Sequence, residues 1–175
     1  MRFFWYQFLS SAEQMSCHPN IQNLITYGLE AEAKLTEIIS NILGEPMKKT
    51  ASKFDCLDFQ GVICFAELKR RSNKYFYTDP KIKKEGWLIP SCKIIRGWDE
   101  LNSNKRVYFF YLWMADKSLW IYEMKQGDFA SGNCHKIPPG HYDNQLHVAI
   151  HQDMWKRVDI DLSSIEFDEE TCHID

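Results

Sequence analysis

The amino-acid sequence predicts an α/β fold, a central mixed β-sheet flanked by helices. Three observations carry that expectation. Apolar residues recur at helical spacing over 21–42. Two strand-like runs, 54–59 and 62–68, meet across Gln60-Gly61 in the manner of a hairpin. A later run, Val107 to Met114, is apolar on both faces, as expected of a strand covered on both sides.

In chain order, the first nine residues (Met1 to Leu9) are apolar but too short to span a bilayer, and they lack a small-residue cleavage site. Charges interrupt every later apolar run. The expectation is a soluble intracellular protein, cytoplasmic or nuclear, with no membrane partner. Pro19-Asn20 offers a helix start with Asn20 as cap. Ile21, Leu24, Gly28, Ala31, Leu35, Ile38 and Ile42 form the apolar stripe, and Gly44 and Pro46 stop the helix. After the hairpin, residues 70–88 are polar, basic and irregular. Residues 89–101 predict a second helix with Pro90 in its first turn. Beyond Val107–Met114, Asp116-Lys117 turns the chain into a strand over 119–124, and 146–150 and 158–162 suggest short edge strands. No linker or repeat interrupts the 175 residues, which read as one domain with a core over about 20–124 and a C-terminal extension at 125–175.

Six cysteines are scattered, three of them directly before a histidine (Cys17-His18, Cys134-His135, Cys172-His173). Adjacent residues rarely ligate one zinc ion, so free thiols in a reducing compartment are expected. Four tail histidines, His135, His141, His147 and His151, read as surface residues rather than a catalytic cluster. The net charge of −3 does not itself suggest nucleic acid, but its distribution does. Residues 46–110 hold 14 Lys/Arg against 7 Asp/Glu, densest at Lys69-Arg70-Arg71, Lys74, Lys81, Lys83 and Lys84. Such a segment can present a positive surface to phosphates.

The hairpin carries the chemistry. With a three-residue turn at 60–62, position 59 faces 63 and Asp55 faces Glu67. Asp55, Glu67 and Lys69 then meet on one face, at the open end of an apolar surface formed by Leu57, Phe59, Ile63 and Phe65. Facing carboxylates destabilise a strand pair unless something binds between them, and a hard divalent cation suits them. Asp58 competes for the aspartate role, but in this register it falls on the opposite face, so Asp55 is preferred.

Asp55, followed by Glu67-Leu68-Lys69, resembles the D-x(n)-E-x-K signature of the PD-(D/E)XK nuclease superfamily, including nuclease-like proteins of phages and large DNA viruses. The resemblance covers roughly residues 24–124 and lacks the proline before the aspartate, where Phe54 stands. It implies a restriction-endonuclease-like core. It also implies a Mg²⁺- or Mn²⁺-dependent deoxyribonuclease, an endonuclease rather than an exonuclease, acting on DNA and dimeric if both strands of a duplex are cut. Asp55, Glu67 and the backbone carbonyl of Leu68 would hold the metal. Lys69 would orient the attacking water and neutralise developing charge. Gly28-Leu29-Glu30-Ala31-Glu32 is similar to the superfamily's G-x-x-x-E, which gives Glu32 a supporting metal role. Arg70, Arg71, Lys74 and Lys93 would grip phosphates, Lys93 from the helix that follows the motif. The alternatives are a catalytically inactive nucleic-acid-binding or structural protein that keeps the fold, or an enzyme acting on another phosphoester.

Overall fold

The structure, a computed structural model, describes residues 19–51, 56–71, 86–129, 134–137 and 146–167. Helix α1 (Pro19–Leu43) leads into short strands β1 (Lys48–Lys49) and β2 (Phe59–Gln60) and the longer β3 (Cys64–Arg71). Next come β4 (Trp87–Pro90), helix α2 (Ser91–Asn102), β5 (Arg106–Trp113) and β6 (Ser118–Met124). β7 (Cys134–Ile137), β8 (His147–Ile150), a 3₁₀ turn (Gln152–Met154) and β9 (Lys156–Arg157) follow. The fold is therefore α/β.

The main sheet has six strands in the order β1-β2-β3-β5-β6-β9. It is mixed because β3 and β5, joined through α2, run parallel while its other neighbours run antiparallel. A right-handed crossover through a helix is the usual way to join parallel neighbours. A second sheet of three antiparallel strands, β4-β8-β7, lies beside α2.

Alternation along β3 and β5 divides the interior in two. Cys64, Ala66 and Leu68 of β3, with Tyr108, Phe110 and Leu112 of β5, pack beneath Tyr27, Ala31, Leu35 and Ile39 of α1. Phe65 of β3, with Val107, Phe109, Tyr111 and Trp113, faces Ile94 of α2 and the apolar side of the second sheet. Trp87 anchors that sheet. Its ring lies 4.8–5.3 Å from those of Tyr111, Trp113, Trp120 and Trp155, within the range of favourable aromatic packing. β5 is central and buried on both faces, as its doubly apolar sequence predicts.

Several boundaries differ from the sequence expectation. Asn20 lies inside α1 rather than capping it, because the helix already includes Pro19. Gly44, at φ 72°, ends α1 as expected, and its N–H donates to the Ser40 carbonyl at 2.9 Å. Pro90 is the last residue of β4 and the N-cap of α2, so the helix starts at Ser91. β8 is the middle strand of its sheet rather than an edge, and the strand expected at 158–162 is replaced by the short β9.

The decisive difference is the hairpin register. Phe59 pairs with Ala66 and Gln60 with Phe65, and the Gly61 N–H donates to the Cys64 carbonyl at 2.8 Å. The tip is therefore Val62-Ile63, not residues 60–62. The cause lies outside the hairpin. The Glu45 carboxylate, just past α1, accepts the N–H groups of Val62 at 2.6 Å and Ile63 at 3.1 Å. Gly61 permits that approach, since a Cβ there would lie only 2.7–2.9 Å from the Glu45 carboxyl group.

Candidate active site on β3

Continuing the observed pairing by one step sets Asp58, not Asp55, against Glu67. The expected facing of Asp55 and Glu67 required a turn at 60–62, which is not the turn observed; Asp55 itself lies outside the described residues, as does Lys74. A shift of pairing by an odd number of residues exchanges the faces of a strand, which is why Asp58 now joins Glu67.

Local bonding fixes Asp58. The chain bends at residues 56–58, and the ladder to β3 is continued by a side chain: the Leu68 N–H donates to Asp58 Oδ2 at 2.9 Å. From the other side, Thr50 holds the same bend. Its N–H donates to the Asp58 carbonyl at 2.9 Å and its hydroxyl to the Leu57 carbonyl at 2.9 Å. In an extended strand the N–H and C=O of one residue project to the same side. The Leu68 carbonyl therefore lies on the side of β3 that faces Asp58.

Glu67 sits in the middle of β3, beside Phe109 of β5, and is 3% exposed. Lys93, third residue of α2, reaches both carboxylates: it forms an ion pair with Glu67 Oε1, and its Nζ lies 3.7 Å from Asp58 Oδ1. Glu67 Oε2 is buried, and among the described residues no donor hydrogen-bonds it. Burial, reinforced by the charge of Asp58 and opposed by Lys93, holds the Glu67 carboxyl well above the ordinary carboxylate range. Burial works in the opposite sense on Lys93, yet the carboxylates of Glu67 and Asp58 outweigh it and keep the ammonium above its usual pKa.

Lys69 follows on the same face, two residues along β3 and beside Tyr111. Burial and then the nearby Arg71 charge lower its pKa to about 8, against the partial opposition of Glu67. Arg71 shares this face, and its guanidinium donates to the Tyr111 hydroxyl at 3.1 Å.

Three sequence-predicted residues have other work. Glu32 belongs to α1, which packs on the opposite face of the sheet from Glu67. Its Oε2 is 2.6 Å from Lys49 Nζ, so its partner is β1 rather than the carboxylate pair. Its placement relative to Gly28 is as expected, one turn along on the same side of the helix. Arg70 also points to the α1 face. Its side chain is wholly buried and donates to Glu30 Oε2 at 2.6 Å and to the Tyr27 carbonyl at 3.1 Å, so it holds the interior rather than phosphate. Lys93, expected on the nucleic-acid surface, is instead the counter-ion of the two carboxylates.

Among the described residues no group of three or more His, Cys, Asp or Glu is arranged around a metal position, and Asp58 and Glu67 form a pair. The pair nevertheless fits a hard divalent cation: two facing carboxylates, one with a buried oxygen that meets no donor among the described residues, and a strand carbonyl on the same side. Cys56, Cys64, Cys92 and Cys134 are free thiols. His151 pairs with its neighbour Asp153, and His141 lies outside the described residues. Among the described residues no helix is long and apolar enough to cross a membrane. No protein-family model, no curated protein and no solved structure matches the chain.

Proposed function

We propose that this chain is a metal-dependent nuclease of restriction-endonuclease-like fold that hydrolyses DNA phosphodiester bonds, with Asp58 in the aspartate position. The observation that carries this reading is the Asp58–Glu67 pair on a buried strand with Lys69 two residues further on. The surroundings support it: a mixed sheet flanked by helices, a helix before the hairpin, and a following helix whose lysine enters the site. In this reading the signature is Asp58, eight intervening residues, then Glu67-Leu68-Lys69.

Asp58, Glu67 and the Leu68 carbonyl would hold Mg²⁺ or Mn²⁺, which when bound supplies activation of a water and charge for the scissile phosphate. The chain's own groups do the rest. Leu68 N–H and Thr50 fix Asp58, so its carboxylate stays in place without side-chain rearrangement. Lys69, with a pKa of about 8, is partly neutral near neutrality, and its Nζ can accept the proton of the attacking water. Arg71, on the same face, supplies positive charge beside the phosphate path.

A plasmid-nicking assay tests this. Nicking is expected with Mg²⁺ or Mn²⁺ and is expected to stop with chelator; equal behaviour under both conditions would return the chain to the class of non-catalytic binding proteins. Because the neutral amine is the active form of Lys69 and burial holds its pKa below the ordinary lysine value, the rate should rise with pH through the mildly alkaline region and then level off. A rate that instead declines through the same region would make Lys69 an electrostatic stabiliser, not a base. The same lowered pKa gives a stability signature. The unfolded chain binds more protons at this lysine between about 8 and its ordinary 10.5, so this lysine adds stability as pH rises through that window.

A further inference from the structure

We propose that Lys93 is an exchangeable internal counter-ion: its ammonium holds the Asp58–Glu67 pair until a divalent cation displaces it, so that metal loading and outward movement of Lys93 are one event. The inference rests on the nuclease reading for the identity of the incoming ion, but its evidence is the geometry around Lys93.

Four observations lead to it. The ammonium touches Glu67 Oε1 and lies 3.7 Å from Asp58 Oδ1, which places it where a shared cation would bind. One charge leaves the pair incompletely served, since among the described residues no donor hydrogen-bonds the buried Glu67 Oε2. Lys93 is not sealed in, because its side chain is 20% exposed and starts from the first turn of α2. Asp58 does not depend on Lys93 for its position, being held by Leu68 N–H and by Thr50.

The exchange follows from charge and coordination. An ammonium offers three donors and one charge, whereas a hard divalent cation gathers several oxygens and carries two. An ammonium and a divalent ion held by the same two carboxylates repel each other strongly in a site this poorly solvated. Once the ion is bound by Asp58, Glu67 and the Leu68 carbonyl, the flexible four-carbon stem of Lys93 carries its charge to the rim, where water solvates it. Lys93 thus keeps two carboxylates together in the unloaded protein and lowers the apparent affinity for the ion that replaces it.

The test measures binding rather than cleavage. Mn²⁺ titrations followed by electron paramagnetic resonance compare the intact chain with Lys93→Met. The variant is expected to bind Mn²⁺ about tenfold more tightly or better, since it no longer loses an ion pair on loading. In the unaltered protein, with no dependence on a variant's folding, Ca²⁺ should move the side-chain nitrogen resonance of Lys93 to that of a solvated lysine. Equal or weaker Mn²⁺ binding by a folded Lys93→Met, or a Lys93 resonance that stays put on saturation, overturns the exchange while leaving the nuclease reading intact. Failure of both proteins to bind Mn²⁺ overturns the exchange and the proposed metal site together.

Discussion

Asp58→Asn will lower cation-dependent cleavage by about a thousandfold or more, with little change in melting temperature. The substitution is isosteric, and an amide oxygen can still accept the Leu68 N–H that now meets Asp58 Oδ2 at 2.9 Å. What it removes is the negative charge facing Glu67. Glu67→Gln should behave similarly in cleavage and is instructive in stability. Its carboxyl is held above the ordinary range chiefly by burial, so ionisation of Glu67 costs folding free energy above its unfolded pKa. An amide has no such cost, and Lys93 retains Asp58 and access to water. Loss of cleavage with an undiminished melting temperature is the pattern of a group kept for chemistry. A Glu67→Gln protein that unfolds readily would instead make the carboxylate a structural partner of Lys93. Asp55→Asn provides the comparison that the register demands: if cleavage is lost with Asp55 and survives loss of Asp58, the proposed site is wrong.

Much of this was legible in the sequence, and the part that was not has a definite origin. Val107–Met114 is apolar at every position and forms the central, doubly covered strand. The helix-period stripe and Gly44 mark α1 and its end, and Glu67-Leu68-Lys69 lies on a buried strand as the hairpin pattern requires. The identity of the facing aspartate was hidden because the turn is positioned by Glu45, which grips the N–H groups of Val62 and Ile63 from 17 and 18 residues away. Gln60-Gly61 looks like a turn glycine, whereas Gly61 is there to admit that carboxylate. A pairing rule applied within the hairpin alone cannot see a clamp outside it. The misplacement of Arg70 is different, because its signal was present. Side chains alternate along a strand, so a face shared by Glu67, Lys69 and Arg71 sends Arg70 to the other side. Dense positive charge obscured the alternation.

That alternation makes Arg70→Ala the second large effect, on stability rather than on DNA. The guanidinium is fully buried, ion-paired with Glu30 at 2.6 Å and stacked with its Cζ 3.5 Å from the Tyr27 ring centre and 4.9 Å from that of Phe167. Arg70 thereby joins β3, α1 and the segment ending at Phe167, which packs on the α1 side of the sheet. Truncation would leave the Glu30 carboxylate without its buried partner and two rings facing a void. Breaking a buried pair costs about 3–5 kcal/mol, more than most single substitutions. For a chain of 175 residues that corresponds to a fall in melting temperature of roughly 10 °C. Lys34 can retain part of the contact, since it pairs with Glu30 at 2.5 Å, but it carries no planar group to fill the space between the rings. The salt dependence of DNA binding by folded Arg70→Ala should match that of the unaltered protein, because a buried guanidinium neutralises no phosphate. An unchanged melting temperature together with a shallower salt dependence would place Arg70 at the nucleic acid after all.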